Sequence, residues 1–487
     1  MLIKTDKDTI QSYFEDTSNL KGGWADEVVF PGRVEDVSSF LKEASRSKLP
    51  VTVSGGGTST TGARVPMGGA VISMERFDKI LDMSKDASGA GSANVQAGVS
   101  VEELKSAAFA KGLFYPCHPT EKTALVGGTV ATNASGSRSF RYGPTRNHVK
   151  ALKIVLPTGE ITRIKRGARV LRRGDSRFVL PGGRAIDIPI PTYKMPPVKN
   201  SAGYYAKDGM DLIDLFIGQE GTLCVLVEAE MSLLKKPDDI FSCFAFFRKE
   251  EDSWDFVRDA KTLEPLSIEY FDHSALGLLR SKGLSIPARA AASIFFEKEL
   301  GEKGVDEIIE DWQNLFKKYG VSEDETWAAM TEKEAERFVE FRHSIPSMIN
   351  EKIRASGFQK ISLDIAVPEG SFLKMMRFYA DSLRGEGLES VIFGHIGENH
   401  VHTNILPRSK NELVSAKRLA LKFIKKGVAL GGTVSAEHGI GKLKHAYLEE
   451  LYGSEGVAEM ARIKKAFDPA WILGLDNIFS RDLGKEA

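Results

Sequence analysis

From residue 30 to residue 235 the chain turns on glycine each time a short β-type run ends. "PVTVSGGG" (50–57), "GAVISM" (69–74) and "ANVQAG" (93–98) each read as a strand meeting a turn. Helical spacing alternates with them. In "VEDVSSFLKEASRS" (34–47), Val34, Val37, Phe40, Leu41 and Ala44 line one face. "VEELKSAAFAKG" (101–112) repeats the spacing and ends on Gly112, a natural helix stop. The alternation predicts a mixed α/β or α+β domain. The other texture is different. Between 240 and 425, longer helical stretches such as 303–320 alternate with strands such as "FSCFAFF" (241–247) and "SVIFGHI" (390–396). That pattern predicts a second domain, a sheet covered by helices.

At 487 residues the chain exceeds what one core organises. The expected division is 1–238, 239–425 and a C-terminal segment, 426–487, with one further helix that closes the site. Residues 165–200 break the first region with Arg, Gly and Pro. They read as an extended loop or small insertion without a functional assignment. Within them "KRGARVLRR" (165–173) is a candidate basic patch, better read as a solvated loop. Lys+Arg and Asp+Glu balance at 66 each, so no global field recruits nucleic acid. Three cysteines, Cys117, Cys224 and Cys243, are too few for a disulfide scaffold or a four-cysteine iron–sulfur cluster. No apolar run reaches the roughly 18 residues of a spanning helix. The N-terminus carries no apolar leader pattern. The expectation is a cytoplasmic protein, attached to a membrane at most through a partner.

"SGGGTSTTG" (54–62) follows the strand at Val51–Val53. Its bare backbone N–H groups and hydroxyls suit an anion such as a pyrophosphate; a plain tight turn is the alternative. Walker chemistry is excluded, since Ala63 and Arg64 follow Gly62 where Lys-Ser/Thr is needed. The Rossmann fingerprint fails at Gly55, Gly57 and Thr60. A second stretch, 118–161, holds Gly127–Gly128 and then small and polar residues to Gly136, against which a flat ligand could lie. A third, "LFIGQEGTLCVLVEAEMSLL" (215–234), places a Glu-Gly-Thr turn before an apolar strand.

In this order the three pieces resemble the vanillyl-alcohol-oxidase and para-cresol-methylhydroxylase class of FAD-binding proteins, over about residues 25–235. The resemblance implies an α+β chain: a two-subdomain FAD-binding domain plus an α+β cap with an antiparallel sheet covered by helices. It implies that FAD is held by Ser54, Gly55, Gly56, Gly57, Thr58 and Ser59. It adds Pro119, Thr120, Thr123, Gly127, Gly128, Thr132, Asn133, Ser135, Gly136 and Tyr142 from the second stretch, and Glu220, Thr222 and Val225 from the third. Some members tether the flavin through a histidine where this chain has Thr58. Threonine cannot form that bond, so FAD is expected to be non-covalent.

"GHIGENHVHTNILP" (394–407) contains His395, His400 and His402, a third of the nine histidines in the chain. It reads as strand, glycine turn, strand. A hairpin could bring His395 and His402 together, and His400 shares a face with His402. Two neutral imidazoles on a sheet are a start for a divalent metal, and Glu437 in "GGTVSAEHGIGK" (431–442) offers a carboxylate. Histidines donating only to backbone carbonyls are the alternative.

His395, His402 and "AEHGIG" (436–441), with "LDIAVP" (363–368) and "DLIDLFIGQEGTL" (211–223), resemble the FAD-dependent D-2-hydroxyacid dehydrogenases. That group includes D-lactate dehydrogenases, glycolate oxidase subunits and D-2-hydroxyglutarate dehydrogenase. The resemblance implies His395, His402 and Glu437 as ligands of a divalent ion, usually zinc, and His438 as general base. Arg342, in "FVEFRHSIP", would hold the substrate carboxylate, with Asn404 lining the pocket. The implied reaction is hydride transfer from C2 of a D-lactate- or glycolate-like acid to flavin N5. Relatives usually read Gly-Asp-Gly-Asn between the two histidines. Here Gly397, Glu398, Asn399 and His400 stand there, and His400 is open as a fourth ligand or a substrate contact. Some relatives have lysine where Ser362 falls, suited to a second carboxylate; its absence counts against 2-hydroxyglutarate, although Lys360 is nearby. Two rival readings share the fold: a non-redox enzyme like alkylglycerone-phosphate synthase, and the FAD subunit of a multi-protein oxidase with an iron–sulfur partner. The electron acceptor is open among quinone, cytochrome, electron-transfer flavoprotein and iron–sulfur subunit, and a homodimer is equally open.

Overall fold

A computed structural model describes residues 1–485 except 118, 238, 302–304 and 330. Three main sheets organise it. In the first, Glu27–Phe30 and Val51–Ser54 both run parallel to Ala70–Ser73, and Leu2–Lys4 closes the edge antiparallel. Parallel neighbours need a crossover, and the amphipathic helix Val34–Ser47 supplies it. It buries Val34, Val37, Phe40, Leu41 and Ala44, the expected face, and stops at Lys48 in the left-handed conformation.

The second sheet is antiparallel and built around the eleven-residue strand Val225–Lys235, flanked by Gly91–Gln96 and Val149–Val155. Helix Val101–Ala110 covers it. Ser100 and Glu103 cap that helix reciprocally, which satisfies N–H groups that have no partner within the helix. The chain then crosses between Lys235 and Ile240 to the third sheet. Of the expected boundary at 238/239, residue 238 lies outside the described residues.

That third sheet has seven strands in the order Thr326–Ala329, Ile240–Phe247, Ala292–Glu299, Ser267–Phe271, Ser390–Gly394, His400–Ile405, Ile361–Ala366, every pairing antiparallel. Helices Glu332–Ser356, Glu369–Glu386 and Lys410–Ala429 are connected with it. The helix expected over 303–320 is found at Val305–Lys318; residues 303 and 304 lie outside the described residues. Its Trp312 stacks on Phe296 of the sheet at 3.6 Å between ring centroids.

Residues 165–200 form two small β pairs. Val170–Leu171 pairs with Met210–Asp211, and Arg177–Val179 with Ala185–Asp187. Arg166 and Arg169 of the basic run pair with Asp214 and Asp175, so part of its charge is answered inside the chain. The far end packs on helix His445–Phe467, where Glu459 accepts from the Thr192 N–H at 2.7 Å. Among the described residues no helix is long and apolar enough to cross a membrane. The three cysteines are free and buried.

The tail returns to the first sheet, where Leu473 bridges Val51. A buried ion pair locks it. Lys464 Nζ lies 2.8 Å from Asp468 Oδ2 and also donates to the carbonyls of Thr222 (2.9 Å) and Leu473 (2.8 Å). Asp468→Ala strands that ammonium away from water. It should cost about 3–5 kcal/mol in urea unfolding, the usual penalty for breaking a buried pair.

Candidate active site

One cleft of about 1410 Å³ runs from the glycine loop to the third sheet. It exceeds the size of a typical small-ligand pocket and suits a dinucleotide with a substrate beside it. Of the expected cofactor residues, Gly55, Gly56, Gly57, Thr58 and Ser59 line it at one end. Pro119, Thr120, Gly127, Gly128, Thr132, Ser135 and Gly136 line its wall, and Glu220 its floor. A Cβ on Gly55 or Gly128 would meet no protein atom within 4 Å, so both positions leave room for a ligand against bare backbone. Gly127 has a different reason: its Cβ would fall 2.6 Å from that of Ala97.

Ser54, Thr123, Asn133, Tyr142, Thr222 and Val225 do not line the cleft. The Ser54 hydroxyl accepts from Arg64 Nε at 2.7 Å, and Asn133 Oδ1 from the Arg146 N–H at 3.0 Å. Thr123 is bonded to Glu121. Tyr142 packs on Phe114, Thr222 is buried against Tyr204, and Val225 lies in the core of the first two sheets. Sequence reading missed Arg64 and the strap Thr17–Lys21, which line the cleft beside the glycine loop.

At the other end the histidine hairpin forms as expected. Ser390–Gly394 and His400–Ile405 pair, and the His395 and His402 rings stand 5.2 Å apart. Gly394 has φ +117°, and a Cβ there would sit 2.7 Å from His402 Cδ2, so glycine at this position gives the ring its place. The neighbouring strand sets Asp364 directly opposite His402. Side chains opposite one another share a face. Asp364 then gathers the tail. Its Oδ2 accepts from the N–H groups of Glu437 (3.1 Å) and His438 (2.9 Å) and from Ser435 Oγ (2.9 Å). His438 Nδ1 stands 3.2 Å from the same oxygen, and His400 Nε2 2.7 Å from Oδ1.

Glu437 is thereby held between two imidazoles: Oε1 is 3.1 Å from His395 Nε2, and Oε2 is 3.7 Å from His402 Nε2. Glu269 lies 2.6 Å from His395 Nδ1, the carboxylate–histidine backing usual at metal sites. Asp364 stands on the Nδ1 side of His402 at 3.8 Å, beyond hydrogen-bond reach. Asp364, His400, His402 and Glu437, all buried, bring one donor atom each within 4.8 Å of one another. The Nδ1 atoms of His400 and His402 have no hydrogen-bond partner. This group fits a divalent cation; it shares His402 and Glu437 with the expected ligand set and has Asp364 and His400 where His395 was expected. His400 does not line the cleft.

Charge follows the same layout. Burial would lower the pKa of His395, but the Glu269 and Glu437 carboxylates outweigh it and push it up to about 9. Burial and the neighbouring imidazoles hold His402 well below its ordinary range. Burial opposes the ionised form of Glu437, yet His395 and Lys199 hold its pKa well below the usual carboxylate range. Lys199 Nζ sits 2.5 Å from Glu437 Oε1, contacts Glu398 as well, and is 5% exposed. Arg342 lines the cleft, its Nε donating to Glu269 at 2.8 Å and its Nη1 to Thr120 Oγ1 at 3.2 Å. Asn404 also lines it, with Oδ1 accepting from Ser362 Oγ at 3.0 Å. Asp364, Glu269 and Lys199 went unread in the sequence. An acid in the middle of an apolar strand, as in "LDIAVP" and "SIEYF", was the available signal for two of them.

Residues 25–165 match the family described as FAD binding domain, and residues 236–475 match FAD linked oxidases, C-terminal domain. The chain belongs to the FAD-linked oxidase family and is an FAD-linked oxidoreductase. It is 31% identical to a D-lactate dehydrogenase of Archaeoglobus fulgidus, over 94% of this chain and 93% of that one. The glycolate oxidase subunit GlcD of Bacillus subtilis is 28% identical, over 94% and 90%. A D-2-hydroxyglutarate dehydrogenase of Stutzerimonas stutzeri is 27% identical, over 98% and 96%. A solved alkyldihydroxyacetonephosphate synthase shares the fold, with a TM-score of 0.67 at 17% identity, over 97% of this chain and 82% of that one.

Glu220 joins the two halves of the site. Its carboxylate accepts from the N–H groups of Ile440 (2.8 Å) and Gly441 (2.7 Å), just beyond His438. Burial pushes its pKa up to about 7 from 4.5. The protonated form is therefore favoured in the folded protein. This stabilisation is complete below pH 4.5 and is lost as pH rises through about 7. Relative to Glu220→Gln, the wild type should lose on the order of 3 kcal/mol of unfolding free energy across that window. Paired urea titrations at pH 5 and pH 8 check it; a constant difference would refute it.

Proposed function

We propose that the protein oxidises a D-2-hydroxy acid of the D-lactate or glycolate type to its 2-oxo acid, with non-covalent FAD and a divalent cation, zinc foremost, held by His395, His402 and Glu437. The observation that carries this reading is the placement of Glu437 between the His395 and His402 imidazoles while Asp364 holds His438 beside them. The names of the relatives supply the substrate class. When bound, FAD supplies the two-electron acceptor, and the cation supplies Lewis-acid polarisation of the substrate hydroxyl.

The chain's residues do the rest. Asp364 holds Nδ1 of His438 and leaves Nε2 to take the hydroxyl proton, work an imidazole performs near neutral pH. With Nε engaged by Glu269, Arg342 keeps Nη2 for the substrate carboxylate. Asn404 closes the pocket beside Ser362. Electrons then pass to an acceptor outside the chain: a quinone, cytochrome, electron-transfer flavoprotein or iron–sulfur subunit.

His438→Ala should retain FAD and slow anaerobic flavin reduction by D-lactate or glycolate by about 10²–10⁴-fold. Unchanged stopped-flow bleaching would remove His438 from the reaction. Exhaustive chelation should abolish bleaching, and Zn²⁺ or Mn²⁺ should restore it. Full activity in verified metal-free protein would exclude the cation.

A further inference from the structure

Two glutamates on adjacent strands of the third sheet use their oxygens differently. Glu297 gives both to one guanidinium: Oε2 accepts from Arg138 Nε at 3.1 Å and Oε1 from Arg138 Nη2 at 2.8 Å. This two-point pairing is the usual answer to a buried arginine. Glu269, 1% exposed, divides its oxygens. Oε1 faces His395 Nδ1 at 2.6 Å, and Oε2 faces Arg342 Nε at 2.8 Å. Arg342 is left with one bond to this carboxylate and with its outer nitrogens toward the cleft. One ionised group thus touches both the carboxylate-binding arm and a cation ligand of the proposed site.

We infer that Glu269 is a positioning residue that couples the two arms, so that the acid on Arg342 and the divalent cation on His395 each strengthen the other's binding. This rests on the roles proposed above for Arg342 and His395. The physical reason is competition for one carboxylate. A hydrogen bond from Nδ1–H to Glu269 fixes the His395 ring and raises the electron density at Nε2. Arg342 draws the same charge the other way. An acid bound at the outer face of Arg342 shares that guanidinium's charge and relaxes its hold on Glu269. Glu269 then serves His395 more fully, and Nε2 becomes the better donor. The reverse path must carry the same factor, because coupling between two binding events is reciprocal. A carboxylate present only to neutralise Arg342 would pair as Glu297 does and would leave His395 to another acceptor.

The test is calorimetric titration of Mn²⁺ into FAD-loaded, metal-stripped protein with no acid present, for wild type, Glu269→Gln, Arg342→Gln and the double variant. Glu269→Gln should weaken Mn²⁺ by about 10–100-fold at unchanged FAD content, as loss of a backing carboxylate does. Arg342→Gln should tighten Mn²⁺, and that gain should shrink when Glu269→Gln is already present. Equal effects of Arg342→Gln in both backgrounds would overturn the coupling, as would a Mn²⁺ affinity in Glu269→Gln within about twofold of wild type, the limit of ordinary additivity. Should Glu269→Gln not fold, Glu269→Asp reads the same quantity, since it keeps the charge but withdraws the oxygens, and it should weaken Mn²⁺ in the same direction. A wild type that takes up no Mn²⁺ or Zn²⁺ overturns the cation site itself, and the coupling with it; a wild type that binds normally beside an unchanged Glu269→Gln overturns the coupling alone.

Discussion

A buried carboxylate, Asp364, determines where the tail meets the histidine hairpin. It takes two backbone N–H groups, a hydroxyl and two imidazoles from two separate stretches of chain, at His400 and at 435–438. Burial of an ionised acid is unfavourable unless every lone pair is answered. Here the answers are the elements of the site. His438 and the cationic Lys444 keep its pKa well below the ordinary range against the opposing effect of burial, so the charge persists where the fold needs it. Remove the charge and the N–H groups of Glu437 and His438 lose their acceptor, though Ala436 still donates to the Asp364 carbonyl at 2.8 Å. The hairpin would still pair, and Glu437 would keep its side-chain contacts with Lys199 and His395.

The same logic repeats at lower order. Glu220 pins the loop just beyond His438 to the floor of the cleft. Lys464 and Asp468 pin the tail to the first sheet. The histidine end of the cleft is therefore assembled by buried polar contacts between segments far apart in sequence. The sheets themselves rest on apolar packing, as in the stack of Trp312 on Phe296. Polar contacts of this kind add little net stability but specify one arrangement, because alternatives leave a charge or N–H unanswered.

What could be read from the residues follows from that division. Helix Val34–Ser47 was legible to its ends because its apolar face repeats at helical spacing. The hairpin was legible because two strands and a glycine turn are local; Glu437 was legible as an available carboxylate, and the family likeness added its role as a ligand. Asp364 and Glu269 were not legible as members of the site. Each is a single acid in a strand, and its partners lie 74 and 126 residues away. Lys199 is a sharper case. The stretch before it reads as an irregular insertion, and nothing local marks its ammonium as buried between Glu398 and Glu437. Six expected cofactor residues stand off the cleft, because a motif names a backbone path and not the direction of each side chain.

The segment 165–200 carries a practical opening. Its end is fixed twice, by Thr192 on Glu459 and by Lys199 on Glu437. Its outer hairpin is tied beside the tip by Arg184, whose Nε donates to Glu160 Oε1 at 2.6 Å, while Gly182 at the tip is exposed, and a side chain on it would meet no protein atom within 4 Å. A fluorophore or tether placed at Gly182 stands 17 residues before Lys199 and leaves the anchored end untouched, which makes it a natural handle for following this enzyme on a surface or in a mixture.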